Sequence, residues 1–155
     1  MNLLPSAKAT CPLEVSDSIV VSFEARWDGI FLKGGVLGFI RKRLPRTTQP
    51  KWVYAYFGTP LSRISFKAEI KSISEVPVSV ALARARDLSI SREEINEYCT
   101  GLSKIGLCLT GTPIFARHKV EMKDLRSAMS FFPPQSFLTL SKDAKKAIEA
   151  FGRFR

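Results

Sequence analysis

The sequence predicts an α+β domain, mainly β: a small, partly open β-barrel with peripheral helices. Three observations point there. The first half of the 155-residue chain consists of short β-branched or alternating segments. The second half sets helical patterns with recognisable caps between further strands. The length suits one domain with one sizeable core.

Residues 1–16, with Pro5 and Pro12 and no periodicity, read as a loosely ordered leader to a single domain over 17–152. Ser18 to Glu24 is short and β-branched, so it reads as a strand. Arg26 to Lys33 places Trp27, Ile30 and Phe31 at helical spacing, and Gly34-Gly35 stops that helix. Val36 to Arg43 reads as a second strand and Leu44 to Pro50 as a loop. Trp52 to Phe57 is a third strand, closed by Gly58-Thr59-Pro60. Over 64–71, Ile64, Phe66, Ala68 and Ile70 fall on one face and polar residues on the other, as in a half-exposed antiparallel strand. Val78 to Leu88 is Ala-rich and helical. Ser91-Arg92-Glu93-Glu94 is a capping box opening a helix that ends near Gly101. Ile105 to Thr110 and Pro113 to Ala116 read as strands, and Glu121 to Met129 as one or two helical turns. Ser141 caps a last helix with Ala144, Ile148 and Phe151 on one side.

Several function classes fall away. No apolar run approaches a membrane span, and the start lacks a secretory pattern, so a cytoplasmic location is expected. Cys11, Cys99 and Cys108 are odd in number and widely spaced, against a disulfide framework or zinc knuckle. They read as small buried hydrophobes. His118 is the single histidine, read as a solvated loop residue, so no His-pair metal site is available. No cofactor or metal is expected.

The charge distribution carries the functional signal. Between Gly29 and Ala68 there is no Asp or Glu, but there are eight cations: Lys33, Arg41, Lys42, Arg43, Arg46, Lys51, Arg63 and Lys67. The formal net charge of the whole chain is +10. Trp52, Tyr54 and Tyr56 alternate inside the same window. Concentrated positive charge beside aromatic rings suits a polyanion with exposed bases, and single-stranded RNA leads.

The order of elements resembles the ASCH domain of the PUA-like superfamily. Ser22-Phe23-Glu24-Ala25-Arg26-Trp27 is similar to the family's opening strand and turn. Phe31-Leu32-Lys33-Gly34-Gly35, then a strand ending Arg41-Lys42-Arg43, is similar to its Gly-x-Lys segment. Lys51-Trp52-Val53-Tyr54-Ala55-Tyr56 with Thr59-Pro60-Leu61-Ser62, Ile90-Ser91-Arg92-Glu93-Glu94 and Pro133-Pro134-Gln135-Ser136-Phe137 resemble later family strings. The resemblance spans about residues 17–150 and implies an RNA-related module, with hydrolases among its relatives. In those hydrolases a Lys, a Thr and a Glu or Thr do the work. Counted from Gly34, these positions hold Val36, Leu37 and Phe39, and only Arg41 keeps its place.

The expectation is therefore an RNA- or nucleotide-binding module without a catalytic set. Phosphate contacts are expected from Arg41, Arg43, Arg46 and Lys51, with Arg26 and Lys33 beside them. Trp27 and Tyr54 are the stacking candidates, and Gln135 and Ser136 the base-edge candidates. Two alternatives stay open: a small hydrolase (ribonuclease or nucleoside amidohydrolase) whose relocated residues would be Lys33 and Glu69, or a regulatory protein whose basic face meets an acidic partner. A monomer is expected.

Overall fold

The computed structural model describes residues 14–45, 49–128, 134 and 137–154. Among the described residues seven strands form: β1 (Val15–Phe23), β2 (Gly38–Arg41), β3 (Trp52–Phe57), β4 (Arg63–Pro77), β5 (Lys104–Thr110), β6 (Ile114–Glu121) and β7 (Phe137–Ser141). The helices are α1 (Arg26–Lys33), α2 (Val78–Ala83), α3 (Ala85–Leu88), α4 (Arg92–Tyr98), α5 (Met122–Ala128) and α6 (Lys142–Gly152). The strand order is β2-β5-β4-β3-β1-β7, with β6 pairing β4 off that path, and the path does not close. The fold is α+β with peripheral helices, as expected.

β1 and β3 run parallel at the centre, Ser18 opposite Trp52 and Phe23 opposite Phe57. A parallel pair is buried on both faces, so alternate residues feed two different cores. Ile19, Val21, Phe23, Val53, Ala55 and Phe57 pack under α1 with Phe31, Phe39 and Phe66. On the other face Val20, Tyr54 and Tyr56 meet Leu140 and Ile148, beneath α5 and α6. A third cluster joins Ile40, Ile105 and Leu107 to Ala81, Leu88 and Ile95 under α2, α3 and α4.

β4 holds the two halves together. Residues 63–69 pair with β3, and residues 70–77 pair with β5. It departs from the alternation expected over 64–71. Tyr56 faces Ile64 while its neighbour Ala55 faces Phe66, so Ser65 is an extra residue, a β-bulge. Ile64 consequently lies in the core beneath α6 and Phe66 in the core beneath α1, with Ser65 fully buried between them.

The other differences are local. β1 starts at Val15, and β2 is trimmed to Gly38–Arg41, so Lys42 and Arg43 lie beyond it. The Ala-rich stretch breaks at Arg84 into α2 and α3. β6 runs on to Glu121, which puts His118 on a strand, exposed, and not in a loop. Ile148 is buried as expected, but Phe151 stays 37% exposed, and Phe154 packs on Tyr54 instead. The capping box forms as read: Ser91 Oγ accepts from Glu94 N–H, and Glu94 Oε1 accepts from Ser91 N–H. Cys99 and Cys108 are buried thiols.

Among the described residues, no helix is long and apolar enough to cross a membrane.

Candidate nucleic-acid interface

A pocket of about 550 Å³ opens where the C-terminal end of β1, the start of α1, β2 and α4 meet. That volume lies in the range of small-ligand sites, roughly 300–1,000 Å³. Phe23, Trp27, Phe39 and Tyr98 give it aromatic walls. Alternation in β1 aims Phe23 inward with Val21, and the helical spacing of α1 leaves Trp27 half-buried on the rim, tilted against Phe31 at 6.3 Å.

Arg41 reaches into this pocket from the end of β2. Its guanidinium lies 4.7 Å from the centre of the Phe23 ring and 5.3 Å from that of Phe39. It donates to Ile40 O at 2.8 Å and to Ser22 O at 2.7 Å. Burial pushes its pKa down, with the tyrosine, thiol and carboxylate groups of Tyr98, Cys108 and Glu24 opposing that shift. A guanidinium stays charged through any such shift. The result is a fixed positive group in an aromatic wall, not the exposed phosphate clamp expected for Arg41. Beside it, Ser22 Oγ is buried without a hydrogen-bond partner.

Carboxylates oppose it. Glu24, Glu94 and Glu97 also line the pocket. Arg26 pairs with Glu24 at 3.1 Å and covers the Trp27 ring at 5.0 Å. Lys42 stands 5.1 Å from the Tyr98 ring centre, so it borders the same opening. Arg43 follows, exposed.

The remaining expected site residues are scattered. Lys33 is exposed at the far end of α1 and does not line the pocket. Lys51 donates its backbone N–H to Asp17 O. That places it near the start of β1, about 16 Å along the strand from Ser22 at ~3.3 Å per residue. Tyr54 is fully buried on the opposite face of the sheet and hydrogen-bonded to Glu149, so its ring has no face for a base. Glu69 is exposed and paired with Lys71 at 2.8 Å, away from the pocket. Arg46, Gln135 and Ser136 lie outside the described residues.

The acid-free window is not acid-free in space. Arg63 pairs with Asp28 at 3.1 Å and Lys67 with Glu149 at 2.8 Å, both acids coming from outside the window. The three positions where the resemblance expects polar groups are apolar in the fold as well: Val36 and Phe39 are buried and Leu37 is 37% exposed. Phe39 forms pocket wall.

Sequence reasoning missed Ser22, Phe23, Glu94, Glu97 and Tyr98. The capping box gave the position of α4, and its seven residues mark which side turns inward: Ile95 is buried, with Glu94 and Tyr98 flanking it. What the sequence lacked was any indication that this helix shares a buried cluster with β2, Ile95 lying in the same core as Ile40.

A scan against protein-family models and a sequence search of curated proteins find no match. Solved structures do match. ASCH from Zymomonas mobilis superposes with a TM-score of 0.76 at 20% identity, over 86% of this chain and 94% of that one. A mutant protein of the same ASCH gives 0.77 at 20% identity, covering 90% and 97%. The N-terminal domain of Staphylothermus marinus McrB gives 0.61 at 14% identity, over 90% and 97%. At these identities the likeness concerns the backbone: over most of its length this chain shares the fold of the ASCH structures.

Proposed function

We propose that this chain is an RNA-binding module that takes one unpaired base into the pocket and holds the adjoining phosphates outside it. The observation that carries the reading is the pocket itself: aromatic walls around a half-buried guanidinium, with cationic side chains at its mouth. Aromatic rings accept any base face, and stacking contributes on the order of 1–3 kcal/mol per base. Trp27 and Tyr98 are the stacking rings at the rim. A base that reaches Trp27 takes the place of Arg26. Lys42 and Arg43 stand where the strand would leave: of the expected phosphate contacts Arg43 is kept, and Lys42 takes the place of Arg41 and Lys51. The ASCH-type likeness supports the same reading.

The test is fluorescence anisotropy of labelled single-stranded RNA at several salt concentrations. Removing one phosphate-binding cation makes the slope of log affinity against log salt shallower by about 0.7 on a single strand. Lys42→Glu with Arg43→Glu is expected to lower the slope by about 1.4 and the affinity more than tenfold. Trp27→Ala should weaken binding with the slope unchanged. Absence of binding to any RNA overturns the reading. Shortened RNA products from the wild-type chain would replace it with the hydrolase alternative.

A further inference from the structure

The pocket is acidic inside a basic protein. Three carboxylates face two guanidinium groups there, in a chain of net charge +10. A phosphate gains nothing beside those carboxylates, so the pocket interior is matched to the edge of a base. Carboxylates only accept hydrogen bonds and guanidiniums only donate them. A fitting base must offer donors toward α4 and acceptors toward β2.

The groups able to read it can be identified by elimination. Glu24 is held by Arg26, and Glu94 closes the capping box with Ser91. Glu97 makes no ion pair or side-chain hydrogen bond among the described residues, although it lines the pocket. Across from it, Arg41 uses one donor on Ile40 O and one on Ser22 O. Its other N–H groups remain for a ligand.

Guanine carries both requirements on adjoining edges. O6 and N7 accept, the pattern that arginine meets with two parallel hydrogen bonds, while N1–H and the N2 amine donate. A single carboxylate oxygen pair spans the latter two. Uracil lacks an exocyclic amine, adenine sets its one amine between the acceptors N7 and N1, and cytosine follows its one amine with the acceptors N3 and O2, so none of the three offers two adjacent donors beside two adjacent acceptors. We propose that the pocket selects guanine, with Arg41 donating to O6 and N7 and Glu97 accepting from N1–H and the N2 amine. The inference rests on the reading that a base enters this pocket.

Short oligouridines carrying one central guanosine, inosine, adenosine or cytidine test it by anisotropy at fixed salt. Inosine keeps O6, N7 and N1–H but lacks the N2 amine, so it isolates the Glu97 contact. The guanosine strand should bind roughly ten- to a hundredfold more tightly than the adenosine and cytidine strands, with inosine between. Glu97→Gln, at an exposed helical position and checked for its wild-type circular dichroism, should erase the guanosine–inosine difference. Equal affinity for guanosine and inosine in the wild type, or a difference that survives Glu97→Gln, overturns the assignment. Equal binding of all four strands overturns guanine selection and leaves base entry standing. No binding of any strand removes both.

Discussion

Replacing Glu149 by alanine removes a carboxylate that serves two donors at once. From α6, Glu149 accepts from the Tyr54 hydroxyl on β3 and from Lys67 Nζ on β4 at 2.8 Å. Lys67 also lies 4.9 Å from the Trp52 ring centre and 5.4 Å from that of Phe154. Tyr54 is fully buried, so its hydroxyl would be left without a partner, at a cost of roughly 1–3 kcal/mol. The charged hydrogen bond from Lys67 is worth about 1.5–3 kcal/mol, and it is discounted because the Glu149 side chain is 31% exposed. Together Glu149→Ala should cost about 3 kcal/mol, a fall in Tm of roughly 6–12 °C at ~2–4 °C per kcal/mol. Urea denaturation followed by circular dichroism measures it, with Tyr54→Phe and the double variant completing a cycle. Tyr54→Phe alone should cost about 1 kcal/mol, and the cycle should show a coupling of about 1 kcal/mol. A Glu149→Ala destabilisation below about 0.5 kcal/mol, the level of an ordinary surface change, would refute this account of the carboxylate.

Three further outcomes follow from the geometry. A Cβ at Gly38 would stand 2.6 Å from Cys108 O, so Gly38→Ala should push β2 off β5 and cost about 1–3 kcal/mol by urea titration. Burial raises the Tyr54 and Tyr56 phenols above their ordinary value, with the Glu149 carboxylate adding to the shift at Tyr54. Since the unfolded chain then releases these protons first, that contribution to stability is full below about pH 10. It declines as pH rises further, and Tyr54→Phe should flatten the decline in alkaline urea titrations. Burial also pushes the Cys108 thiol up to about 12. Iodoacetamide at pH 8 should leave Cys108 unmodified in the native chain and label it in guanidinium, read by peptide mass spectrometry.

How far the sequence spoke depended on whether a signal was local. The Arg26–Lys33 helix, the Trp52–Phe57 strand and the Ser91 capping box were legible because spacing and caps decide them within a few residues. The faces of β4 were not. Alternation puts Ile64 and Phe66 together, and only the register against β3 reveals that Ser65 shifts the phase. The aromatic alternation of Trp52, Tyr54 and Tyr56 was visible, but its meaning was set by a helix some ninety residues later covering that face. Charge behaved likewise. A window without acids says nothing about Asp28 and Glu149, which the fold brings to Arg63 and Lys67. The pocket was half legible: Arg26, Trp27 and Arg41 lie in strings that carry the family resemblance, whereas Glu97 and Tyr98 enter it through tertiary docking alone.

The bulge at Ser65 has a consequence for the kinds of change this chain tolerates. One extra residue determines which side of the sheet every later residue of β4 faces. Without Ser65, Ile64 and Phe66 become successive residues, still opposite Tyr56 and Ala55, and plain alternation keeps them in the cores beneath α6 and α1. Lys67 likewise stays on the side of Glu149. A single-codon deletion at Ser65 would therefore straighten β4 and spare the contents of both cores. Straightening the strand with Ser65 retained would instead turn Phe66 and Ala68 toward α6 and Lys67 toward the aromatic core, so the bulge is what lets this sequence serve two cores and the floor on which the pocket is built.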